Sequence, residues 1–334
     1  MKNHLHPLMK KGIFALALCL CLFTKSFSQH FIFGNENFKA EVGLNFGPTF
    51  FLGDLGGGKG YGTKFVKDIN LSVTKLMKGG FVSVYPNNWL GFRLAGQYTY
   101  VEGRDDLIHN YGSDELYRKQ RNLDFKSDIW EVYGAVELFP LMLMHQNMGD
   151  DYAPRLRPYL FAGVGAFHFN PVGSLTNPDG STTWYDLKPL HTEGEGFAEY
   201  PDRKEYSLTQ MNIPYGGGLK YFVSDRTNIS LEVLYRKTFT DYIDDVSTYY
   251  IDPSLFDKYL SPADAAIAKK INDKTDGIYV AGSSRYTPGV QRGNPNNTDA
   301  YFSFLFKIGF RLGPIYESSF ERRAMRQTSC PHRY

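Results

Sequence analysis

The sequence has few cysteines and no long hydrophobic run. Only three of its 334 residues are cysteine, and Cys19 and Cys21 lie in a short apolar segment near the N-terminus. An exported chain that keeps Cys330 alone forms no internal disulfide, which excludes a small disulfide-linked secreted module. No apolar run reaches the length of about 18 residues that a spanning helix requires, so the sequence predicts no membrane-spanning helix.

The sequence also lacks a strong net charge. Its 37 Lys and Arg against 35 Asp and Glu leave a formal charge of +2, which indicates neither a nucleic-acid partner nor an acidic one. The mean hydropathy of −0.36 resembles that of a soluble protein, yet alternating strands with polar loops give a β-barrel a similar average. The 33 glycines and 16% aromatic residues favour β-structure with tight turns.

The N-terminus predicts a cleaved signal peptide. Three lysines precede an apolar segment, Gly12 to Phe23, that is too short to span a membrane. Ser26-Phe27-Ser28 offers a small-x-small cleavage site, so we expect a signal peptide at residues 1–28 and a mature chain from Gln29.

The segment 302–312 shows the clearest strand pattern. Every second residue is apolar, mostly Phe, while Ser303, Lys307 and Arg311 lie on the opposite parity. A soluble lipocalin-like barrel is one interpretation. A lipid-facing wall around a watery or ion-paired lumen suits the outward aromatic face better.

The whole chain predicts an all-β fold, a transmembrane antiparallel up-and-down β-barrel of about eight strands within residues 29–312. Loops after strands two and six are short, whereas those after strands one, three, five and seven are long, which is the outer-membrane pattern with short periplasmic turns. A parity change before Ile129 predicts a bulge, and Ser261-Pro262 predicts the start of a short helix in the longest loop. The strands are expected at residues 39–52, 69–85, 89–103, 123–139, 157–169, 206–223, 227–239 and 299–312.

Charged residues on the strands predict an interior of ion pairs that holds the barrel closed, rather than a transport or catalytic pathway, because eight strands leave room only for side chains. These residues are Lys39, Arg93, Glu131, Glu137, Glu232, Arg236, Lys307 and Arg311.

Two acidic groups lie in the loops. Asp241, Asp244, Asp245 and Asp252 could bind calcium or form ion pairs with Arg236, Lys237 or other loop residues. Glu193 and Glu195 could be a pair of catalytic acids, but we interpret them as part of a solvated loop.

No residue pattern predicts catalysis, a cofactor or a metal site. The histidines lack metal-ligand spacing, and the glycine-rich residues 56–60 lack the Ser/Thr and helix of a phosphate loop. A lipid-modifying barrel enzyme with Ser/His chemistry is a further alternative, for which His168 and nearby Ser or Tyr residues are the candidate residues.

Several strings resemble the PorG-like outer-membrane β-barrel proteins of Bacteroidota over nearly the whole mature chain. The string at residues 235–247, YRKTFTDYIDDVS, is the most specific. The others are Glu41-Val42-Gly43-Leu44 with Gly53-Asp54-Leu55, and residues 121–131, 157–165 and 212–218.

The resemblance implies a non-enzymatic component of the type IX secretion system, related to gliding motility, that sits in the bacterial outer membrane. Its expected partners are outer-membrane lipid, a periplasmic ring lipoprotein and other secretion-system subunits, with the basic tail 313–334 in the periplasm. The alternative is a surface-binding or adhesion barrel that acts through its long loops. Candidate partner-binding residues are Arg322, Arg323, Arg326, Asp241, Asp244 and Asp245.

Overall fold

The computed structural model describes residues 39–55, 73–108, 115–144, 154–275 and 287–312. The expected signal peptide, the glycine-rich residues 56–60 and the basic tail 313–334 lie outside these ranges, so they stay predictions.

Eight long strands form one closed antiparallel sheet, which confirms the predicted barrel. Each strand pairs with the next along the chain, and the first strand pairs with the last from Ala40 opposite Leu312 to Leu52 opposite Ala300. A ninth, short strand, β6, pairs only with the end of β5. The strands are β1 Lys39–Leu52, β2 Lys75–Tyr85, β3 Leu90–Arg104, β4 Asp124–Leu138, β5 Leu156–Thr176, β6 Thr182–Asp186, β7 Thr209–Phe222, β8 Thr227–Thr238 and β9 Ala300–Leu312.

The helices are short and lie in the loops. They are α1 Glu115–Arg121, α2 Pro140–Met144, α3 Ser254–Tyr259 and α4 Pro262–Asn272. The helix predicted after Ser261 is confirmed as α4, since the Ser261 side chain accepts a hydrogen bond from the Asp264 N–H at 3.2 Å. Among the described residues, no helix is both long and apolar enough to cross a membrane.

The outside of the barrel carries a belt of exposed apolar side chains. On β3 and β4 these alternate with buried residues, so that Leu94 and Val132 face outward while Arg93 and Tyr133 face inward. In β9, Phe304, Phe310 and Leu312 face outward, as the sequence predicts. In water such a belt would be a large aggregation-prone patch, whereas in lipid it is the solvated surface.

Inward-facing glycines make room for large side chains in the narrow lumen. A Cβ at Gly218 would lie 2.8 Å from the ring and hydroxyl of Tyr159, and one at Gly91 would lie 2.5 Å from the ring of Tyr85. Both tyrosines are buried. The barrel therefore fills its interior by placing an aromatic ring of one strand against an inward-facing glycine of another.

Two expectations about the strands are wrong. β4 has no bulge: its register with β3 is unbroken from Arg104 opposite Asp124 to Leu90 opposite Leu138. Apolar residues before Ile129 face inward because the barrel interior is apolar at that end. Strand five runs past residue 169 to Thr176, where it forms a hairpin with β6 beyond the barrel wall.

The two ends of the barrel differ. The turn side has the two short connections 86–89 and 223–226, together with 139–155, which carries α2. On the other side, the described parts of the long connections (53–55, 105–108, 115–123, 187–208, 239–275 and 287–299) pack into one folded layer, which we call the loop cap. Its apolar core joins loop residues such as Ile243 and Phe256 to the inward side chains of Phe125, Phe169 and Tyr301. The cap thus covers the barrel mouth.

Leu94→Arg tests the belt. Leu94 pairs with Val82 and Gly134 near the middle of the span. We expect the arginine to destabilise the barrel by about 2–4 kcal/mol because it places a charge in hydrocarbon. Urea unfolding in lipid vesicles measures this, with Leu94→Ala as the matched control. Equal stability of the two variants, or a monodisperse protein without detergent, would contradict a lipid-facing belt.

Candidate functional site

The middle of the barrel holds a network of buried ion pairs centred on Glu232. Arg93 donates to Glu232 through both terminal nitrogens, at 2.9 and 2.7 Å, and through Nε to Glu137. Lys307 Nζ and the Tyr159 hydroxyl both donate to Oε2 of Glu232, at 2.9 and 2.6 Å. Both oxygens of the buried Glu232 carboxylate thereby have charged or hydroxyl donors, which offset its desolvation.

Two further pairs extend the network along the lumen. Arg236 donates to Glu131 at 3.2 Å, and Lys220 donates to Glu41 at 3.1 Å. The predicted lumen of ion pairs is confirmed for Arg93, Glu131, Glu137, Glu232, Arg236 and Lys307. Sequence reasoning missed the pair of Glu41 with Lys220. The position of Lys220 two residues after the glycine-rich part of β7 and on the inward parity was the available signal. Among the described residues, the buried charges on the inward parity of the strands are four bases, Arg93, Lys220, Arg236 and Lys307, against four acids, Glu41, Glu131, Glu137 and Glu232.

The lumen is filled rather than open in the part of the chain that the structure describes. A water-filled channel would leave its lining side chains exposed, yet Arg93, Glu232 and Arg236 are at most 3% exposed. A cavity on the turn side, lined by Lys39, Arg157, Arg311 and others, has a volume of about 10 Å³, which is room for about one water molecule.

Glu193 joins three parts of the loop cap. Its Oε1 accepts from the backbone N–H of Ser247 at 2.9 Å and from Arg292 at 2.8 Å, and its Oε2 accepts from the N–H and hydroxyl of Thr248 at 2.8 and 2.7 Å. Glu195 is buried beside it. The expectation of a solvated loop at these glutamates is therefore wrong. The backbone N–H groups of Ser247 and Thr248, which lie 54 and 55 residues after Glu193 in the sequence, solvate its carboxylate in place of water.

A second group of acids lies where the cap meets the ends of β1 and β9. Asp244 accepts from the backbone N–H groups of Asp54 and Leu55, each at 3.1 Å, and from that of Val246 at 3.1 Å. Asp299 accepts from the N–H of Ile243 at 2.8 Å. These bonds fold residues 241–246 back against the barrel rim.

Burial shifts the titration of these acids. It raises the pKa of Asp241 to about 9 and that of Asp245 to about 6, with repulsion from neighbouring carboxylates adding to the effect in both cases. Burial also raises the pKa of Asp54, Glu195, Asp244 and Asp299. Hydrogen bonds from Thr192 and Tyr206, at 2.6 Å each, together with Arg292, limit the shift at Asp245.

The structure brings together three of the predicted partner-binding residues. Asp241, Asp244 and Asp245 lie in the cap interior, whereas Asp252 is exposed. Arg236, one expected ion-pair partner, lies inside the barrel instead. Arg322, Arg323 and Arg326 lie outside the described residues, so a partner-binding role for all six residues stays a prediction. Within the described ranges, no three His, Cys, Asp or Glu side chains are spaced to hold a metal ion.

Comparisons with known proteins add names for similar barrels. No protein-family model matches the sequence, and no curated protein is similar to it in sequence. Among solved structures, the chain is similar to Ail, the attachment invasion locus protein of Yersinia pestis, at 9% identity and a TM-score of 0.30, covering 82% of this chain and 99% of Ail. Neisserial surface protein A is 11% identical with a TM-score of 0.29, and the match covers 82% of this chain and 97% of that protein. A major outer membrane protein from Thermus thermophilus is 9% identical with a TM-score of 0.32, and the match covers 82% of this chain and 99% of that protein.

Scores this low carry no argument about function, and the fold rests on the strand pairing itself. The closed sheet of eight strands with an outward apolar belt is an outer-membrane barrel. The protein therefore lies in the bacterial outer membrane, with membrane lipid around its belt.

Glu232→Ala is expected to destabilise the barrel by about 3–5 kcal/mol, because Lys307 then loses its buried carboxylate partner and Arg93 keeps only Glu137. Chemical unfolding in lipid measures the change. Glu199→Gln is the control, since it removes an acid from an exposed pair with Lys258 on the cap and should leave stability unchanged. Similar losses in both variants would contradict a structural role for the network.

Planar-bilayer recording tests the filled lumen. The purified protein is expected to insert without stable conductance steps, because ion-paired side chains occupy the path that ions would take. A voltage-independent open channel in the unmodified protein would contradict this description of the interior.

Proposed function

We propose that the protein is a non-enzymatic structural subunit of a type IX protein secretion machine, in which the barrel anchors periplasmic ring or translocon subunits to the outer membrane. The observation that carries this proposal is the filled lumen with balanced charge. A barrel that passes no solute acts through its two ends and its outer wall.

The turn side suits a protein partner. Phe139 and Met142 fix α2 to the barrel, and this leaves Leu141, Leu143 and Met144 exposed beside it. An exposed apolar surface of this kind, next to a polar rim, is typical of a protein contact.

Basic residues lie near this exposed apolar surface. Arg157 and Arg311 line the same small cavity as Phe139, and both stack on Phe222, at 4.5 and 4.1 Å from the ring centre. β9 also ends on this side, at Leu312. The positive charge of this surface favours an acidic partner.

The resemblance to PorG-like proteins supports the proposal independently of the geometry. Its strings fall on β1, β4, β5 and β7, and its most specific string runs from β8 into the cap at residues 241–247. These residues build the barrel wall and the acidic interior of the cap, so the shared pattern covers both the wall and the cap.

The folded cap supports a second candidate function, a surface-binding barrel. Its buried core makes a rigid platform, and the β5–β6 hairpin projects from it with an exposed tip at residues 178–181. Loops held on a rigid scaffold often carry recognition.

Removal of the segment after Leu312 tests the anchoring function. We expect the full chain to recover periplasmic partners from mild-detergent extracts of its own cells, and the truncated chain to lose most of them. The triple variant Arg322→Gln, Arg323→Gln, Arg326→Gln should show a partial loss, because these charges attract an acidic partner.

The control is a barrel with residues 178–181 replaced by a Gly-Ser linker, which alters the cap and leaves the turn side intact. Recovery of no periplasmic partner with either the full or the truncated chain would overturn the anchoring function. A hairpin variant that loses surface attachment while secretion continues would favour the second candidate.

A further inference from the structure

The loop cap buries far more negative than positive charge. Its buried acids number seven, against the two buried arginines Arg121 and Arg292. Arg121 pairs with Asp105, and Arg292 pairs with Glu193. The other five buried acids form no ion pair with an arginine among the described residues, and the half-buried Asp54 lies beside them. The seven are Asp105, Glu193, Glu195, Asp241, Asp244, Asp245 and Asp299.

The carboxylate of Asp241 is the least supported of these groups. Asp241 is only 9% exposed, and neither of its carboxylate oxygens accepts a hydrogen bond within the part of the chain that the structure describes. Asp299 Oδ1 and Glu195 Oε1 are buried without a donor as well. An ionised carboxylate in such surroundings costs several kcal/mol, so a positive charge or a proton must come from elsewhere.

The charges that face Asp241 and Asp299 make full ionisation still less favourable. Asp244, Asp54 and Glu193 repel the charge on Asp241, whereas the hydroxyl of Ser247 favours it. Asp299 faces Asp244, Asp241 and Asp54. The cations on this side act on Asp54 and Asp244: Arg121 acts on both and Arg118 acts on Asp54.

A metal ion is the first alternative to protonation. Ca²⁺ takes six to eight oxygen ligands that converge on one point. The acids of the cap are instead held apart by separate backbone donors, and no three of them have metal-ligand spacing within the described ranges. Protons shared among carboxyl groups need no common centre.

We propose that the closed loop cap holds protons on Asp241, Asp299 and the acids around them, so that the cap is a pH-responsive cover that loosens as the pH outside the cell rises. A protonated carboxyl is a hydrogen-bond donor, and the neighbouring carboxylates with vacant oxygens are its acceptors. This inference goes beyond the proposed anchoring function and does not depend on it.

The direction of the effect follows from linkage. In an opened cap Asp241 ionises near its ordinary pKa of 3.8, whereas burial in the closed cap raises the pKa to about 9. The closed state therefore binds more protons than the open state between these values, and its stability falls as pH rises through them. Asp245, with its pKa raised to about 6, adds to the loss at the acidic end of this window.

Hydrogen exchange of the full-length protein in lipid, with EDTA present, tests the proposal from about pH 5 to about pH 9. The reporters are the amides of Ile243 and Val246, which donate to Asp299 and Asp244, and amides of β3 serve as the reference. Relative to intrinsic rates, we expect protection of the reporters to fall by about tenfold per pH unit for each proton that the closed cap holds. Protection in β3 should stay level.

Asp241→Asn makes the test specific. The amide supplies a hydrogen-bond donor without a charge, so we expect higher protection of the reporter amides at alkaline pH than in the unmodified protein. We also expect the fall of protection with pH to correspond to one proton fewer. Asp252→Asn is the control, because Asp252 is exposed on the same cap and should leave the profile unchanged. Asp299→Asn is a second variant if the first fails to fold.

Two sets of results would contradict the pH-responsive cap. A level profile in the unmodified protein, or lower protection in both Asn variants at every pH, would overturn the proposal. Restoration of alkaline protection by added Ca²⁺, with loss of that effect in Asp241→Asn, would assign the acids to a metal ion and overturn it as well.

Discussion

The structure depends on one constraint, which is that backbone groups within hydrocarbon must all find partners in the protein. The pairing of β1 with β9 meets it by closing the sheet. Closure with eight strands then fixes the bore, because a barrel of this size has space for side chains but none for a water column. Whatever charge the inward positions carry is consequently dry, and it is stable only when each charge has a partner of opposite sign.

The arrangement of the lumen follows from that condition. Arg93 reaches across from β3 to Glu232 on β8, and Lys220 of β7 reaches Glu41 of β1. Ion pairs between strands that are not neighbours cross the bore and connect opposite walls. Their value is geometric as much as energetic, since a change in strand register would send each of these side chains to the lipid face.

Alternation made much of the barrel predictable from sequence. A charged residue on the inward parity of an otherwise apolar strand has no acceptable place in lipid, so Arg93, Glu131 and Lys307 identify the lumen face. The bulge expected in β4 shows where such reasoning fails. Trp130 and Val132 are apolar and outward, while Phe125 and Ile129 are apolar and inward. The strand is regular, and its surroundings change from membrane to cap along its length.

The cap was not predictable in the same way. Glu193 is flanked by residues typical of a solvated loop, and its donors at Ser247 and Thr248 belong to another loop. Local composition cannot reveal a partner supplied by the fold. The one sequence signal was the string at residues 241–247, where three aspartates are interspersed with Tyr242, Ile243 and Val246, apolar residues that are unusual in a solvent-exposed loop.

The contrast between the two interiors has a physical reason. Inside the membrane span, a carboxylate is cut off from water and ions, so an equal number of bases must be built into the same barrel, as the eight lumen charges are. The cap lies beside bulk water, from which protons reach its acids whenever it opens. A surplus of buried carboxylates is therefore tolerable in the cap and would not be in the barrel, and the price is that cap stability follows the proton concentration outside. The same fold thus has a wall insensitive to its surroundings and a cover that responds to them.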